Sequence, residues 1–83
     1  MSFRRKTNYR TGLERIRKEL LKGVSQETVA RRTSLTTRTY ARAEEGKPVK
    51  YSSALEILDA INALLGEHGL GRVALDDLTL TIE

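Results

Sequence analysis

The chain has 83 residues, no cysteine and a formal net charge of +4 at pH 7. This length allows one small domain with a modest core, and the absence of thiols excludes disulfides and thiolate metal sites. The sequence has no run of about 18 apolar residues, and its basic N-terminus lacks the apolar stretch of a signal peptide, so we expect a cytoplasmic protein without a membrane span.

The charge is distributed unevenly along the chain. Residues 1–50 contain 14 Lys or Arg and 5 Asp or Glu, whereas residues 51–83 contain 1 and 6, so the two parts carry formal charges of +9 and −5. This division indicates a nucleic-acid face and a separate protein face. The alternative is that the charges only solvate the surface.

Residues 1–11 predict a basic N-terminal arm. They lack hydrophobic periodicity and contain four cations and no acid. The cations are Arg4, Arg5, Lys6 and Arg10. Such arms follow phosphates or enter a minor groove, and the alternative is a solvated terminus without a partner.

Residues 12–22 predict the first helix. Leu13, Ile16 and Leu20 recur at the spacing of one buried stripe. Gly23 suits the position just after a helix end, and we expect Val24 to fold back into the core.

Residues 25–46 predict two short helices joined by a tight turn. Ser25 suits the N-cap of the first helix, Thr36 can cap the second, and Gly46 ends it. Two short helices joined by about four residues form a helix-turn-helix unit.

The residues that define this stretch are Ser25, Gln26, Val29, Ala30, Leu35, Thr36, Thr39, Tyr40, Ala43, Glu44 and Gly46. Their spacing resembles the Cro/lambda-repressor type of helix-turn-helix, also called the XRE family. Ser34 stands where that family usually has Gly, which predicts backbone strain in the turn. The resemblance implies an all-α, lambda-repressor-like bundle of about five helices over residues 12–78, with a recognition helix at about residues 37–45.

The resemblance also implies a set of DNA contacts. The residues expected to contact bases are Thr37, Arg38 and Arg42. Thr36 and Thr39 are expected to contact a phosphate or a thymine methyl. By their positions, Gln26 in the first turn of the preceding helix and Lys47 and Lys50 in the loop after Gly46 are further phosphate candidates. A guanidinium can bond guanine O6 and N7 together, and threonine offers a hydroxyl and a methyl. A helix N-terminus beside Gln26 would help to hold a phosphate.

The family pairs an arginine of its first helix with the glutamate near the end of the recognition helix. Arg17 and Glu44 are the matching residues here. Such a pair would mainly orient the helices, because a partly buried ion pair contributes little net stability.

Residues 53–65 predict a long fourth helix. Ser53 and Glu56 have the spacing of a capping box, and Gly66 is expected to end the helix. The apolar stripe between them is wider than a lone helix face needs. It either belongs entirely to the core of the domain or leaves apolar area for a partner.

Residues 74–78 predict a short fifth helix, and residues 79–82 alternate polar and apolar side chains in the manner of a strand. Helical spacing also fits Leu75, Leu78 and Ile82, so residues 79–82 could be either a strand or a continuation of the helix. The chain contains no other predicted strand. Residues 79–83 therefore form a tail whose strand would pair with the same strand of a second copy.

Enzymatic chemistry finds little support in the sequence. The single histidine, His68, lies in a glycine-rich loop, and the adjacent Asp76 and Asp77 cannot face each other. There is no phosphate-binding glycine loop and no metal-ligand cluster, so we expect no cofactor, no metal and no catalysis.

The sequence thus predicts a double-stranded DNA-binding transcription regulator that acts as a homodimer on a palindromic operator. One alternative is an antitoxin of the same fold that regulates its own operon and binds a toxin protein. Another is a protein-interaction adaptor, against which the basic half argues.

Overall fold

The structure is a computed structural model that describes residues 9–83, so most of the predicted arm lies outside the described residues. The described residues form an all-α fold. Its elements are α1 (Gly12–Arg15), which continues as a π-helical turn (Ile16–Leu20), then α2 (Gln26–Ala30), α3 (Thr37–Glu44), α4 (Tyr51–Glu67) and a 3-10 helix (Leu75–Leu78).

Hydroxyl side chains cap the first three helices. Thr11, Ser25 and Thr36 each accept a hydrogen bond from the backbone N–H three residues further on, at 3.1 Å. Each bond satisfies one of the amides that a helix leaves unpaired at its start. Two of the caps confirm the predicted ones. Thr11 was assigned to the arm, but it is buried and caps α1, so the ordered domain begins before residue 12.

The first helix departs from the predicted stripe in its second half. The backbone N–H of Leu21 donates to the carbonyl of Ile16 at 3.1 Å, five residues back, which is π-helical geometry. Leu21 is fully buried, whereas Leu20 is 40% exposed. The prediction that Leu20 completes the buried stripe is wrong, because the 3.6-residue period does not hold across a π turn.

One hydrophobic core joins all the helices. Its members are Leu13, Ile16, Leu21, Val29, Ala30, Tyr40, Ala43, Val49, Ala54, Ile57, Ala60, Ile61, Leu64, Leu65 and Leu78. Val24 packs against this core, as predicted from its position after Gly23. Six of these residues belong to α4, which packs against both α2 and the 3-10 helix and so supplies the largest share of the core.

The turn between α2 and α3 is held by α4. The Glu56 carboxylate accepts hydrogen bonds from the Ser34 backbone N–H at 2.7 Å and from the Ser34 hydroxyl at 2.9 Å. Among the described non-glycine residues only Thr79 has a positive φ, 46°. The predicted strain at Ser34 is therefore wrong, because the serine takes an ordinary conformation and gains two bonds that glycine could not both provide.

α4 is longer than predicted at both ends. It begins at Tyr51, with Lys50 at the N-cap position, so Ser53 lies in its first turn and the predicted capping box with Glu56 is absent. Gly66 lies inside the helix rather than ending it. Within the described part of the chain, no helix has both the length and the apolar character needed to cross a membrane.

The C-terminal residues pack on α1. The backbone carbonyl of Asp77 lies where a side chain on Gly12 would stand, so only glycine allows this approach. The Gly12 N–H donates to the Thr79 hydroxyl at 2.6 Å. The predicted fifth helix is thus present as a 3-10 helix, which packs against the start of α1.

The tail has a partner within the chain. Val49 N–H donates to the Thr81 carbonyl at 2.9 Å, and Glu83 N–H donates to the Val49 carbonyl at 2.9 Å, which forms an isolated parallel bridge between Val49 and Ile82. The expectation that residues 79–82 lack an intrachain partner is wrong. Val49 lies in a loop with no alternation of its own, so the strand pattern could not reveal it.

Candidate nucleic-acid interface

α3 has one buried face and one exposed face. Tyr40, Ala43 and Glu44 are buried against the core. The exposed side chains of α3 include Thr37, Arg38, Thr39 and Arg42. Residues four apart lie one above the other on a helix, so Arg38 and Arg42 project from the same face. The predicted division of this helix into a core face and an outer face is present in the fold.

Glu44 anchors the end of α3 to the two preceding helices. Its carboxylate accepts from Arg17 Nε at 2.5 Å, from Arg17 Nη2 at 3.1 Å and from Gln26 Nε2 at 3.0 Å. Its backbone carbonyl accepts from the Thr11 hydroxyl at 2.9 Å. Arg17 also donates to the Val24 carbonyl at 3.1 Å. The predicted pair of Arg17 and Glu44 is confirmed as part of a larger network.

The network keeps Glu44 charged. Burial alone would raise the pKa of this carboxyl, but the hydrogen bonds from Arg17 and Gln26 outweigh burial and lower it. The bond to Glu44 in turn raises the pKa of the Arg17 guanidinium. Burial, with the Glu44 charge nearby, raises the pKa of Tyr40, whose hydroxyl has no hydrogen-bond partner of good geometry among the described residues.

Gln26 has a structural role that the sequence pattern did not reveal. Its side-chain nitrogen, predicted to hold a phosphate, already donates to Glu44. This bond fixes the start of α2 against the end of α3. The same nitrogen carries a second N–H, so a phosphate contact through it would be compatible with the bond to Glu44.

The two threonines at the start of α3 bond to each other. The Thr36 hydroxyl caps the Thr39 N–H, and the two hydroxyl oxygens lie 3.0 Å apart. Both side chains remain exposed. Their methyl groups and remaining hydroxyl lone pairs are therefore accessible from solvent.

The described cations divide into paired and unpaired groups. Those in ion pairs with carboxylates are Arg10, Arg15, Arg17, Lys18, Arg31 and Arg32. Those without a carboxylate partner within 4.0 Å in the described residues are Lys22, Arg38, Arg42, Lys47, Lys50 and Arg72. Four of the unpaired cations fall between residues 38 and 50, on α3 and the loop after it.

We call the exposed side chains of this region the recognition face. It consists of Thr37, Arg38, Thr39, Arg42, Lys47 and Lys50. The loop that carries the lysines is well fixed, since the Lys47 N–H donates to the Arg42 carbonyl at 3.0 Å and Gly46 has a left-handed φ of 90°. The sequence pattern placed all six residues near one another, and the fold presents them to solvent.

A cleft of about 260 Å³ borders the recognition face. Its lining residues are Thr39, Arg42, Pro48, Val49, Lys50, Ser53 and Glu83. Glu83 was not predicted to lie here. It reaches the cleft only because its backbone N–H bonds to Val49, and no local sequence signal marks that contact.

Residues 9–83 contain no group of three or more side chains that could hold a metal ion. No protein-family model, curated protein or solved structure matches this chain.

Proposed function

We propose that this protein is a sequence-specific double-stranded DNA-binding transcription regulator with a lambda-repressor-like bundle. The observation that carries the proposal is the division of the cations. Outside the recognition face, most described Lys and Arg are neutralised by carboxylates, whereas Arg38, Arg42, Lys47 and Lys50 are exposed and unpaired. Unpaired cations grouped on one helix and its loop are the footprint of phosphate and base contacts.

The dimensions of α3 support insertion into the major groove. An α-helix with side chains is about 10–12 Å wide, and the major groove is about 12 Å wide. Arg38 and Arg42 would face the base edges, where a guanidinium can bond guanine O6 and N7 together. Lys47 and Lys50, on the loop beside the helix, would lie against the phosphates that flank the groove.

The anchoring of α3 supports the same proposal. Glu44 ties its last turn to α1 and α2 through buried, charge-assisted hydrogen bonds, and Thr36 caps its first turn. A helix held at both ends presents its exposed side chains from a backbone of fixed position. Such an arrangement reduces the ordering cost when a ligand binds.

We further propose that the regulator acts as a homodimer. Large apolar side chains are exposed on α4 and on the C-terminal segment, at Tyr51, Leu55, Leu70 and Ile82. One recognition helix contacts only a few base pairs, and a two-fold dimer would place two such helices about 34 Å apart on a palindromic site. The same apolar side chains would meet the toxin if the protein were an antitoxin instead.

Selection of bound sequences from random duplexes, followed by fluorescence anisotropy, tests the DNA-binding proposal. Arg42→Ala should weaken binding to the selected site by about 1–3 kcal/mol and relax the preference at one position. Lys47→Ala should weaken all sequences alike. Arg15→Ala is the matched control, because Arg15 already pairs with Glu19 and lies outside the recognition face.

The dependence of affinity on salt gives a second test. Several phosphate contacts should lower the affinity by orders of magnitude between about 50 and 200 mM salt. Light scattering at tens of micromolar reports the oligomeric state. A flat salt response would contradict DNA binding, and a monomer that selects a non-palindromic site would contradict the dimer.

A further inference from the structure

The tail brings a negative charge to the edge of the recognition face. The Glu83 N–H donates to the Val49 carbonyl at 2.9 Å, and the Val49 N–H donates to the Thr81 carbonyl at 2.9 Å. These two bonds hold Glu83 at the cleft that Arg42 and Lys50 also line. Glu83 is therefore fixed beside two of the cations to which we assign DNA contacts.

Most other carboxylates of the C-terminal part already have partners. Glu56 accepts from Ser34, Glu67 pairs with Arg32, and Asp77 accepts from the Ala74 N–H at 2.8 Å. Glu83 exchanges no ion pair or side-chain hydrogen bond within the described residues. Within these residues, no cation therefore pairs with the Glu83 carboxylate, and the carboxylate makes no hydrogen bond that stabilises the fold.

In the proposed complex a DNA strand would run past the side of α3 that borders the cleft. A helix in the major groove nearly fills its width, so residues at the flank of the helix and in the following loop face phosphates. Thr39 and Lys50, to which we assign phosphate contacts, line this flank beside the base-facing Arg42. A phosphate that approaches Lys50 would also approach Glu83, whose carboxylate has the same sign of charge, and like charges repel.

We propose that Glu83 limits the affinity of the recognition face for DNA by opposing phosphate in this cleft. The inference rests on the proposed DNA-binding function. The carboxylate acts on the phosphate backbone and not on base edges, so it lowers the affinity for all sequences by the same factor. As a result, the protein dissociates from non-specific DNA faster than it would without the Glu83 charge.

Anisotropy titrations with the selected duplex and with an unrelated duplex test the proposal. Glu83→Gln keeps the size of the side chain and removes its charge. Its affinity for both duplexes should rise by roughly three- to five-fold at about 50 mM salt, as expected when one exposed charge near a phosphate is removed. The gain should shrink as salt increases, because salt screens exposed charges.

Asp76→Asn is the matched control. It makes the same change in net charge, but Asp76 is an exposed residue of the 3-10 helix that does not line the cleft. A gain for Glu83→Gln well above that for Asp76→Asn supports the proposal. Thermal melting of both variants verifies that the fold is unchanged.

Three results overturn the proposal, and they differ from one another. Equal gains for the two variants would mean that only net charge matters. A changed sequence preference would mean that Glu83 contacts bases, and an equal loss of affinity for both duplexes would mean that its carboxylate does not oppose phosphate. If the wild-type protein binds neither duplex, the proposed DNA-binding function fails and this inference fails with it.

Discussion

Removal of the Glu44 carboxylate should destabilise the whole domain. Glu44 is 1% exposed and accepts three side-chain hydrogen bonds, two of them from Arg17. In Glu44→Ala the Arg17 guanidinium, whose side chain is only 12% exposed, loses its counter-charge. Breaking a buried pair by removing one partner costs about 3–5 kcal/mol, because the other charge stays buried without compensation.

This cost is large compared with the stability that a domain of this size can have. At about 0.05–0.15 kcal/mol per residue, the chain would have a free energy of unfolding of about 4–12 kcal/mol. For a domain of this size each 1 kcal/mol lowers the melting temperature by about 4–8 °C. Glu44→Ala should therefore lower it by at least about 12 °C.

Circular dichroism during thermal and urea unfolding measures the effect. The neighbouring residue gives a matched control, because Glu45 is exposed and its contact with Arg10 is 3.6 Å long. Glu45→Ala should cost less than about 1 kcal/mol. Adding Arg17→Met to Glu44→Leu should restore part of the stability that Glu44→Leu loses, since no buried charge then lacks a partner. Equal costs for Glu44→Ala and Glu45→Ala would refute the reasoning.

Three further predictions follow from the fold. The pKa of Glu44 is lowered in the folded state, so the stability that its charge contributes should be fully present above its ordinary pKa of 4.5 and should be lost as pH decreases through the lower folded pKa. Melting curves from pH 7 to pH 2 should show a smaller loss in Glu44→Gln. Leu21→Ala should cost about 2–5 kcal/mol and Leu20→Ala less than about 1, and urea midpoints that reverse this order would contradict the π turn. Gly12→Ala should cost about 1–3 kcal/mol, because its methyl meets a backbone carbonyl of the 3-10 helix. Gly66→Ala, in the last turn of α4 with open space around the added methyl, should instead stabilise by about 0.5–1 kcal/mol. A neutral Gly12→Ala in thermal melts would show that the contact yields easily.

The sequence by itself determined the features that depend on neighbours within one turn. The caps at Ser25 and Thr36, the turn between α2 and α3, and the two faces of α3 follow from local hydrogen bonding and the helical period. The ion pair of Arg17 and Glu44 came from the family resemblance, which carries information about contacts between distant residues. The DNA contacts rest on the same resemblance and stay a prediction.

Only the tertiary structure decided the contacts between segments that are far apart in the chain. Leu21 takes the place of Leu20 in the core because the π turn rotates its side chain inward. Glu56 accepts a hydrogen bond from Ser34 in the turn between α2 and α3 and does not cap its own helix. The tail bridges Val49 and so brings a carboxylate to the recognition face. Each of these contacts depends on how the elements pack against α4 and α1. The periodicity of side chains along the chain does not predict that packing.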